Sequence, residues 1–320
     1  MVDNDVIGDA LAVPGNFAGN LTPQALFTLD YHPPPPVIAD FVTTLYHFRC
    51  DELMIRDFQP AAVGHLMVFL RGHGVMRFAG GRVDPSHPVS LMTPCGAAVP
   101  IEVEGPFHCI GAALSPLGWA ALTGLHAGEW ADKLLPARDY LGEDVELVGQ
   151  ELIADYLASS SGAELCQRLA QCVSGLLRPV NSRHATLIGM VAEWLGSGFD
   201  PSLEALFERS AYSRRQTQRL VERYFGLPPR ELKRKYRALR VISLLSQPDL
   251  SEEEQDELAD CFYDQSHMIR EIRHFVGRTP GDMVGDNQSI LSALIDVRNF
   301  REIPPQVAAL PEARKENDSQ

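Results

Sequence analysis

The spacing of apolar residues changes character along the chain. Between residues 41 and 114, short apolar runs are broken by glycine and proline at distances typical of β-hairpins. From Pro116 onward, apolar residues recur at three- and four-residue steps, which predicts helices over most of the remaining chain. The pattern therefore predicts an α+β protein with two domains. The first is a small β barrel or sandwich with following helices, and the second is all-α.

Proline and polar residues mark the boundaries between these parts. The sequence "HPPPP" at residues 32–36 is a stiff polyproline spacer, so we expect the residues before it to be flexible. The sequence "RPVNSR" at residues 178–183 has the composition of a linker between domains. The predicted parts are a flexible segment at 1–36, the β-then-helix domain at 37–180, the helical domain at 181–285 and a C-terminal tail at 286–320.

Charge is unevenly distributed along the chain. The formal net charge is −14, and residues 1–180 hold nine basic and twenty acidic residues. Residues 209–240, by contrast, hold eleven lysines or arginines and two acids. We call residues 209–240 the basic block. A basic block in an acidic protein indicates a local anionic partner, although an ordinary solvated helix face is the alternative.

The basic block has the residue order of a helix-turn-helix unit. Ser202 and Ser213 are placed to cap two successive helices, and Gln216 can complete a capping box with Ser213. The second helix has an apolar inner side. Its outer side carries Arg214, Arg215, Gln218, Arg219 and Arg223. Arginine and glutamine form paired hydrogen bonds with base edges, and further arginines hold phosphates, so this surface predicts nucleic-acid binding.

The chain then repeats this order. A long helix is predicted from about Pro229 to Ser246, and Lys233 on it is a candidate phosphate contact. A second reading helix follows, with Met268, Ile272 and Phe275 inward. Its outward residues are Gln265, Ser266, His267 and Arg270. The long helix spans roughly 27 Å, close to one DNA turn of about 34 Å, so both reading helices could enter successive major grooves.

Residues from about 184 to 283 resemble the AraC/XylS family of bacterial transcription regulators. The resemblance rests on "SRRQTQRLVERYFG" and, more specifically, on "FYDQSHMIREIRHFVGRTP". It implies two helix-turn-helix units, promoter DNA as a partner, RNA polymerase as a second partner if the protein is an activator, and an attached domain that senses or dimerises. Carried over by position, base readout falls to Arg215, Gln218 and Arg219 in the first unit and to Gln265, Ser266, His267 and Arg270 in the second.

One segment favours a different function. The sequence "SEEEQDELADC" at residues 251–261 is unusually acidic for the helix before the second reading helix, because acids that face inward are costly to bury. The alternative is a protein–protein adaptor or anti-regulator whose degenerate second unit no longer binds DNA. The intact arginine surface of the first unit favours DNA binding.

The N-terminal region is similar in layout to the cupin-like β-plus-helix sensor domains of this family. That similarity implies a small-molecule effector and a homodimer as candidate partners. Apolar residues either line a ligand pocket or fill a core; they are Met67, Phe69, Met92, Phe107 and Trp119. The apolar face of the helices between residues 144 and 177 forms either a dimer seam or a surface packed on the protein's own sheet.

Candidate chemistry elsewhere is weak. The sequence "PCGAAVP" is similar to the start of a DNA alkyl-acceptor site, but Gly96 follows Cys95 and no partner that would form the thiolate is nearby. The histidines of the β region lack a His-x-His pair or a carboxylate at ligand spacing. We therefore expect neither enzymatic activity nor a metal or cofactor.

The sequence also bears on location. The N-terminus lacks the basic and apolar regions of a signal peptide, and no run of 18 apolar residues is present. The six cysteines show neither a CxxC pair nor a disulfide framework. We expect a cytoplasmic protein with reduced thiols and no membrane segment.

Overall fold

Eight strands form one antiparallel sheet in the computed structural model, which describes residues 22–245 and 265–282 together with Leu291 and Leu294. The strands are β1 (Phe27–His32), β2 (Val42–Cys50), β3 (Met54–Gln59), β4 (His65–Arg77), β5 (Val83–Pro85), β6 (Val89–Met92), β7 (Val99–Leu114) and β8 (Leu134–Pro136). The predicted antiparallel β domain is confirmed. The apolar runs between residues 65 and 77 belong to one continuous strand, β4.

Strand β7 is the central strand of the sheet and pairs with β2, β3 and β4. The strand order is β1-β2-β7-β4-β6-β8, with β3 paired to β7 and β5 paired to β4. The second half of β7 pairs with β2 and its first half pairs with β3, while β4 runs along its other edge. Register shifts in β4 near Phe69 and Arg71 bend that strand. The sheet consequently curls around an interior to which all strands except β5 contribute lining residues.

The two faces of the sheet carry different residues because side chains alternate along a strand. On β4, Leu66, Val68 and Leu70 are buried in the core shared with the helices. The intervening residues Met67 and Phe69 face the interior of the curl. The sheet therefore has a filled outer core and an inner face that surrounds a cavity.

Four helices cover the outer face: α1 (Pro116–Thr123), α2 (Arg138–Leu141), α3 (Glu143–Leu157) and α4 (Gly162–Leu176). A capping box between Ser161 and Glu164 begins α4. Val145 and Leu152 of α3, like Leu165 of α4, are buried against the sheet. Most of the apolar face of α3 and α4 therefore packs on the protein's own sheet.

The remaining helices belong to the C-terminal half. They are α5 (Ser182–Gly196), α6 (Leu203–Arg209), α7 (Arg214–Phe225), α8 (Pro229–Leu245) and α9 (Gln265–Val276). Helices α5 to α8 share one apolar core around Trp194, and α8 and α9 share another around Phe275. The acidic segment 251–261 lies outside the described residues.

Two expected boundaries need correction. Residues 27–32, placed in the flexible N-terminal segment, form β1, which pairs with β2 along its whole length. In the expected tail, Leu291 is buried and its backbone N–H donates to Asp57 Oδ2 at 3.1 Å, and Leu294 lines the interior of the sheet. Both ends were misplaced because long-range pairing holds them, and periodicity within a short segment does not reveal such pairing.

Two buried histidines make stability depend on pH. Burial lowers the pKa of His47 to about 4, with a further contribution from Arg49, and burial together with the Lys235 charge lowers the pKa of His65 to about 4. Folding therefore favours the neutral imidazoles. Their contribution to stability is complete above the unfolded-state pKa of 6.5 and is lost as the pH falls toward 4.

We expect the free energy of unfolding to fall by about 1 kcal/mol per pH unit for each of these histidines between about pH 6 and pH 5. Replacing His47 with glutamine should remove one of the two contributions and flatten the slope by that amount. Urea unfolding of both proteins across this range measures the difference. Identical slopes would contradict the assignment.

Candidate nucleic-acid interface

Helix α7 begins and ends with well-defined caps. The Ser213 side chain accepts from the Gln216 backbone N–H, and Gln216 Oε1 accepts from the Ser213 backbone N–H at 3.3 Å. Gly226 ends the helix in the left-handed conformation, with a φ of 84°. Thr217 is fully buried, and its hydroxyl lies 2.7 Å from Ser210 Oγ. These contacts fix α7 against the turn that joins it to α6.

The two sides of α7 differ as the sequence predicted. Val221, Tyr224 and Phe225 are buried in the core with Leu206 of α6. The opposite side exposes Arg214, Arg215, Gln218, Arg219 and Arg223, which together we call the reading face. Within the described residues, Arg215 and Arg219 form no ion pair. The reading face is therefore exposed to solvent, and the guanidinium groups of Arg215 and Arg219 can accept an anionic partner.

The second half of the basic block is turned inward. Lys235, Arg237 and Arg240 of α8 are buried. Lys235 Nζ donates to the carbonyl oxygens of Ala62 at 2.9 Å and Cys95 at 3.3 Å. The Arg240 guanidinium donates to the carbonyls of Leu195, near the end of α5, and Gly198, just after it. These basic side chains of α8 therefore bond groups inside the protein, whereas those of α7 are exposed to an anionic partner.

Lys233 differs from its expected role as a phosphate contact. Its side chain is 16% exposed, and its Nζ lies 2.9 Å from Asp200 Oδ1. Asp200 precedes α6, and folding brings it beside α8, so the ammonium group already has a counter-ion. Arg230, at the start of α8, is exposed.

Helix α9 is held by a buried carboxylate. The Glu271 side chain is 0% exposed. It accepts two hydrogen bonds from Arg237, each of 2.8 Å, and one of 3.0 Å from Arg234 Nε. Arg237 Nη1 also lies 2.6 Å from Asp200 Oδ1. A buried carboxylate that two guanidiniums hold fixes how α9 is rotated on α8.

Sequence reasoning missed Glu271. The available signal was an acidic residue on α9 one position before the buried Ile272, with arginines on α8 that could oppose it.

Three of the four residues that were predicted to face outward on α9 are exposed. Gln265, Ser266 and Arg270 are exposed. His267 is 39% exposed at its side chain, and its Nε2 lies 4.0 Å from Glu271 Oε2. Met268 is partly buried, and Ile272 and Phe275 are buried, as predicted. The N-terminal turn of α9 is consequently its most accessible part.

Both reading helices contact the β domain at their C-terminal ends. The carbonyl of Arg223 on α7 accepts from Ala127 N at 2.7 Å. On α9, the Phe275 carbonyl accepts from Ala61 N at 2.8 Å. Beyond α9, Arg278 Nη2 lies 2.5 Å from the fully buried carboxylate of Asp57. The β domain therefore holds the ends of α7 and α9 that lie away from their exposed N-terminal turns.

The curled sheet surrounds a partly open cavity of about 160 Å³ with predominantly apolar walls. Four of the five predicted pocket residues line it: Met67, Phe69, Met92 and Phe107.

Trp119 does not line this cavity, and its expected place in the pocket is corrected. Its ring packs over Gly64 on the helix-covered side of the sheet, and its indole N–H donates to the Leu125 carbonyl at 3.1 Å. The residue follows β7 in sequence, but α1 carries it to the outer face.

Other candidate chemistry finds little support. Burial raises the pKa of the Cys95 thiol far above its ordinary value, so this cysteine is a poor nucleophile. Across the described ranges, no three metal-ligating side chains lie together. In the same ranges, no helix is both long and apolar enough to cross a bilayer.

A protein-family model for a helix-turn-helix domain matches residues 206–285. The C-terminal part of this chain is therefore a helix-turn-helix domain. The match spans α6 to α9 and supports a DNA-binding transcription regulator. No curated protein matches the chain.

Two solved structures have a loosely similar layout. ToxT from Vibrio cholerae O395 is 10% identical, with 83% of this chain and 100% of ToxT covered and a TM-score of 0.42. The AraC-like transcriptional activator CuxR is 13% identical, with 67% and 86% covered and a TM-score of 0.30. These values indicate only a general likeness, and the assignment rests on the C-terminal domain.

The buried carboxylate of α9 gives a stability prediction. Replacing Glu271 with alanine leaves two guanidiniums without their shared acceptor, so we expect a loss of about 3 kcal/mol in the free energy of unfolding. Glu208→Ala removes an exposed carboxylate on α6 and should change stability by less than about 0.5 kcal/mol. Urea unfolding of the two variants makes the comparison, and equal effects would contradict the role of Glu271.

Proposed function

We propose that the protein is a sequence-specific DNA-binding regulator of transcription that reads two major-groove segments with α7 and α9. The reading face carries this proposal, because it combines exposed arginines with Gln218 at the N-terminal half of a capped helix. Arginine can donate two hydrogen bonds to guanine, and glutamine can pair with adenine. The remaining arginines of the reading face are suited to phosphates.

Helix α9 is the second reader in this proposal. Its exposed Gln265, Ser266 and Arg270 lie in the first turns, and Glu271 sets the rotation of the helix on α8. The β domain lies at the far ends of both readers, and residues 1–180 have an excess of acids. DNA would therefore approach from the side of the N-terminal turns, away from the acidic domain.

Replacing Arg215 with alanine tests base readout. We expect a loss of about 1–3 kcal/mol in binding at one base pair of the preferred site and little change on random DNA. Arg138→Ala is the matched control, because this exposed arginine lies on α2 of the acidic domain. Competition binding with specific and random duplexes measures both variants. Equal losses on the two DNAs for Arg215→Ala would contradict base readout.

We also propose that the N-terminal domain makes DNA binding responsive to a small-molecule effector. Residues 59–62, which we call the coupling segment, contribute to the cavity wall. In the same segment, Ala61 N donates to Phe275 of α9, and the Ala62 carbonyl accepts from Lys235 of α8. A molecule in the cavity would thus press on a segment that is hydrogen-bonded to the long helix α8 and to the second reading helix α9.

A cavity-filling substitution tests this coupling. Ala113 of β7 lines the cavity and belongs to neither reading helix, so Ala113→Leu should mimic partial occupancy. We expect the affinity for specific DNA to change by about fivefold or more, which is typical of coupled sites. Ala163→Leu makes the same change at an exposed position on α4 and should leave DNA affinity unchanged. Unchanged affinity in a folded Ala113→Leu protein would contradict the coupling.

A homodimer, and RNA polymerase as a further partner if the protein is an activator, complete the proposal. We place the second copy of this chain beside α3, where Leu147 and Leu157 are 57% and 65% exposed.

A further inference from the structure

The cavity within the sheet has an uncharged wall as far as the structure describes it. None of the lining residues in the described part of the chain is Asp, Glu, Lys or Arg. Several polar side chains in the wall already have backbone partners. Ser86 Oγ accepts from Gly74 N, Thr44 Oγ1 donates to the Leu45 carbonyl, and Gln59 Nε2 donates to the Pro60 carbonyl. A charged ligand would therefore enter without a counter-ion, at a high desolvation cost.

One pair of polar side chains stands out in this wall. The Tyr46 hydroxyl lies 3.1 Å from His65 Nδ1, and both residues line the cavity. They belong to β2 and β4, which flank β7 on opposite sides. A side chain at Gly111 of β7 would meet the Tyr46 ring at 2.2 Å, so this glycine gives the ring its space across the strand. The hydrogen bond between Tyr46 and His65 therefore depends on the missing side chain at Gly111.

The pair is neutral at physiological pH. Burial lowers the pKa of His65 to about 4 and raises the pKa of Tyr46 well above its ordinary value. The shared hydrogen bond can run in either direction, according to the imidazole tautomer. In one case the phenol oxygen can accept from a ligand, and in the other the phenol O–H can donate. A hydroxyl group on the ligand satisfies both cases.

The size and shape of the space limit the ligand further. The cavity of about 160 Å³ compares with a protein cavity of about 150 Å³ that binds benzene. Aromatic rings form part of the wall, since Phe107 lies 5.3 Å from Phe69 and 5.9 Å from Phe48 between ring centroids. One planar ring therefore matches both the volume and the walls.

We infer that this cavity binds a neutral, largely apolar molecule of about one aromatic ring through a single hydroxyl group that hydrogen-bonds to the Tyr46–His65 pair. Identifying this molecule with the effector rests on the proposed function. The binding site itself can be tested without DNA.

The test uses three probes on the full chain: phenol, toluene and benzoate, measured by titration calorimetry. We expect phenol to bind, toluene to bind between about threefold and tenfold more weakly, and benzoate to bind far more weakly than either. Tyr46→Phe should reduce phenol binding to the level of toluene and leave toluene unchanged. Tyr140→Phe, on α2 outside the cavity, is the matched control and should bind all three probes like the unaltered protein.

Three results would overturn the inference: benzoate binding as tightly as phenol, Tyr46→Phe weakening phenol and toluene equally, or no probe binding to a folded protein. DNA binding measured with and without saturating phenol separates the two proposals. If phenol binds through Tyr46 but DNA affinity does not change, the ligand class stands and the effector role fails. If DNA is bound specifically but phenol does not bind, the ligand class fails and the DNA-binding function stands.

Discussion

The attachment of α7 and α9 to the curled sheet is the constraint on which the other features depend. The Arg223 carbonyl at the end of α7 and the Phe275 carbonyl at the end of α9 both accept hydrogen bonds from loops of the β domain. The Asp57–Arg278 pair adds a buried ionic contact just beyond α9. A helix held at its C-terminal end presents its N-terminal turn, and those turns carry the exposed arginine and glutamine side chains. The β domain therefore helps to fix the positions of the two reading helices, α7 and α9.

This arrangement also explains the unusual concentration of positive charge. The basic block divides between a surface role on α7 and an internal role on α8. On α8, Arg237 bonds the buried Glu271, and Lys235 bonds carbonyls of the β domain. Buried guanidinium and ammonium groups need such partners, because an unpaired charge in the interior is strongly destabilising. A count of basic residues thus overstates the surface available to DNA, and α7 provides most of it.

Local features of this structure could be predicted from the sequence because local chemistry determines them. The capping box at Ser213, the inner and outer sides of α7 and the length of α8 follow from spacing within one or two turns. The features that the sequence did not predict depend on contacts between residues that are far apart in the chain. Asp200 reaches Lys233 only after folding, and periodicity cannot tell which face of the sheet Trp119 will join. Strand β1 likewise depends on its partner β2 and has little signal of its own.

The most direct test of the central claim is selection of bound sequences from a random duplex pool by the full-length protein at near-physiological salt. We predict a recovered motif with two half-elements about one helical turn, or roughly 34 Å, apart on one face of the DNA. The first element should lose its sequence preference in Arg215→Ala. A folded protein that enriches no sequence would contradict the account and favour an adaptor without DNA binding.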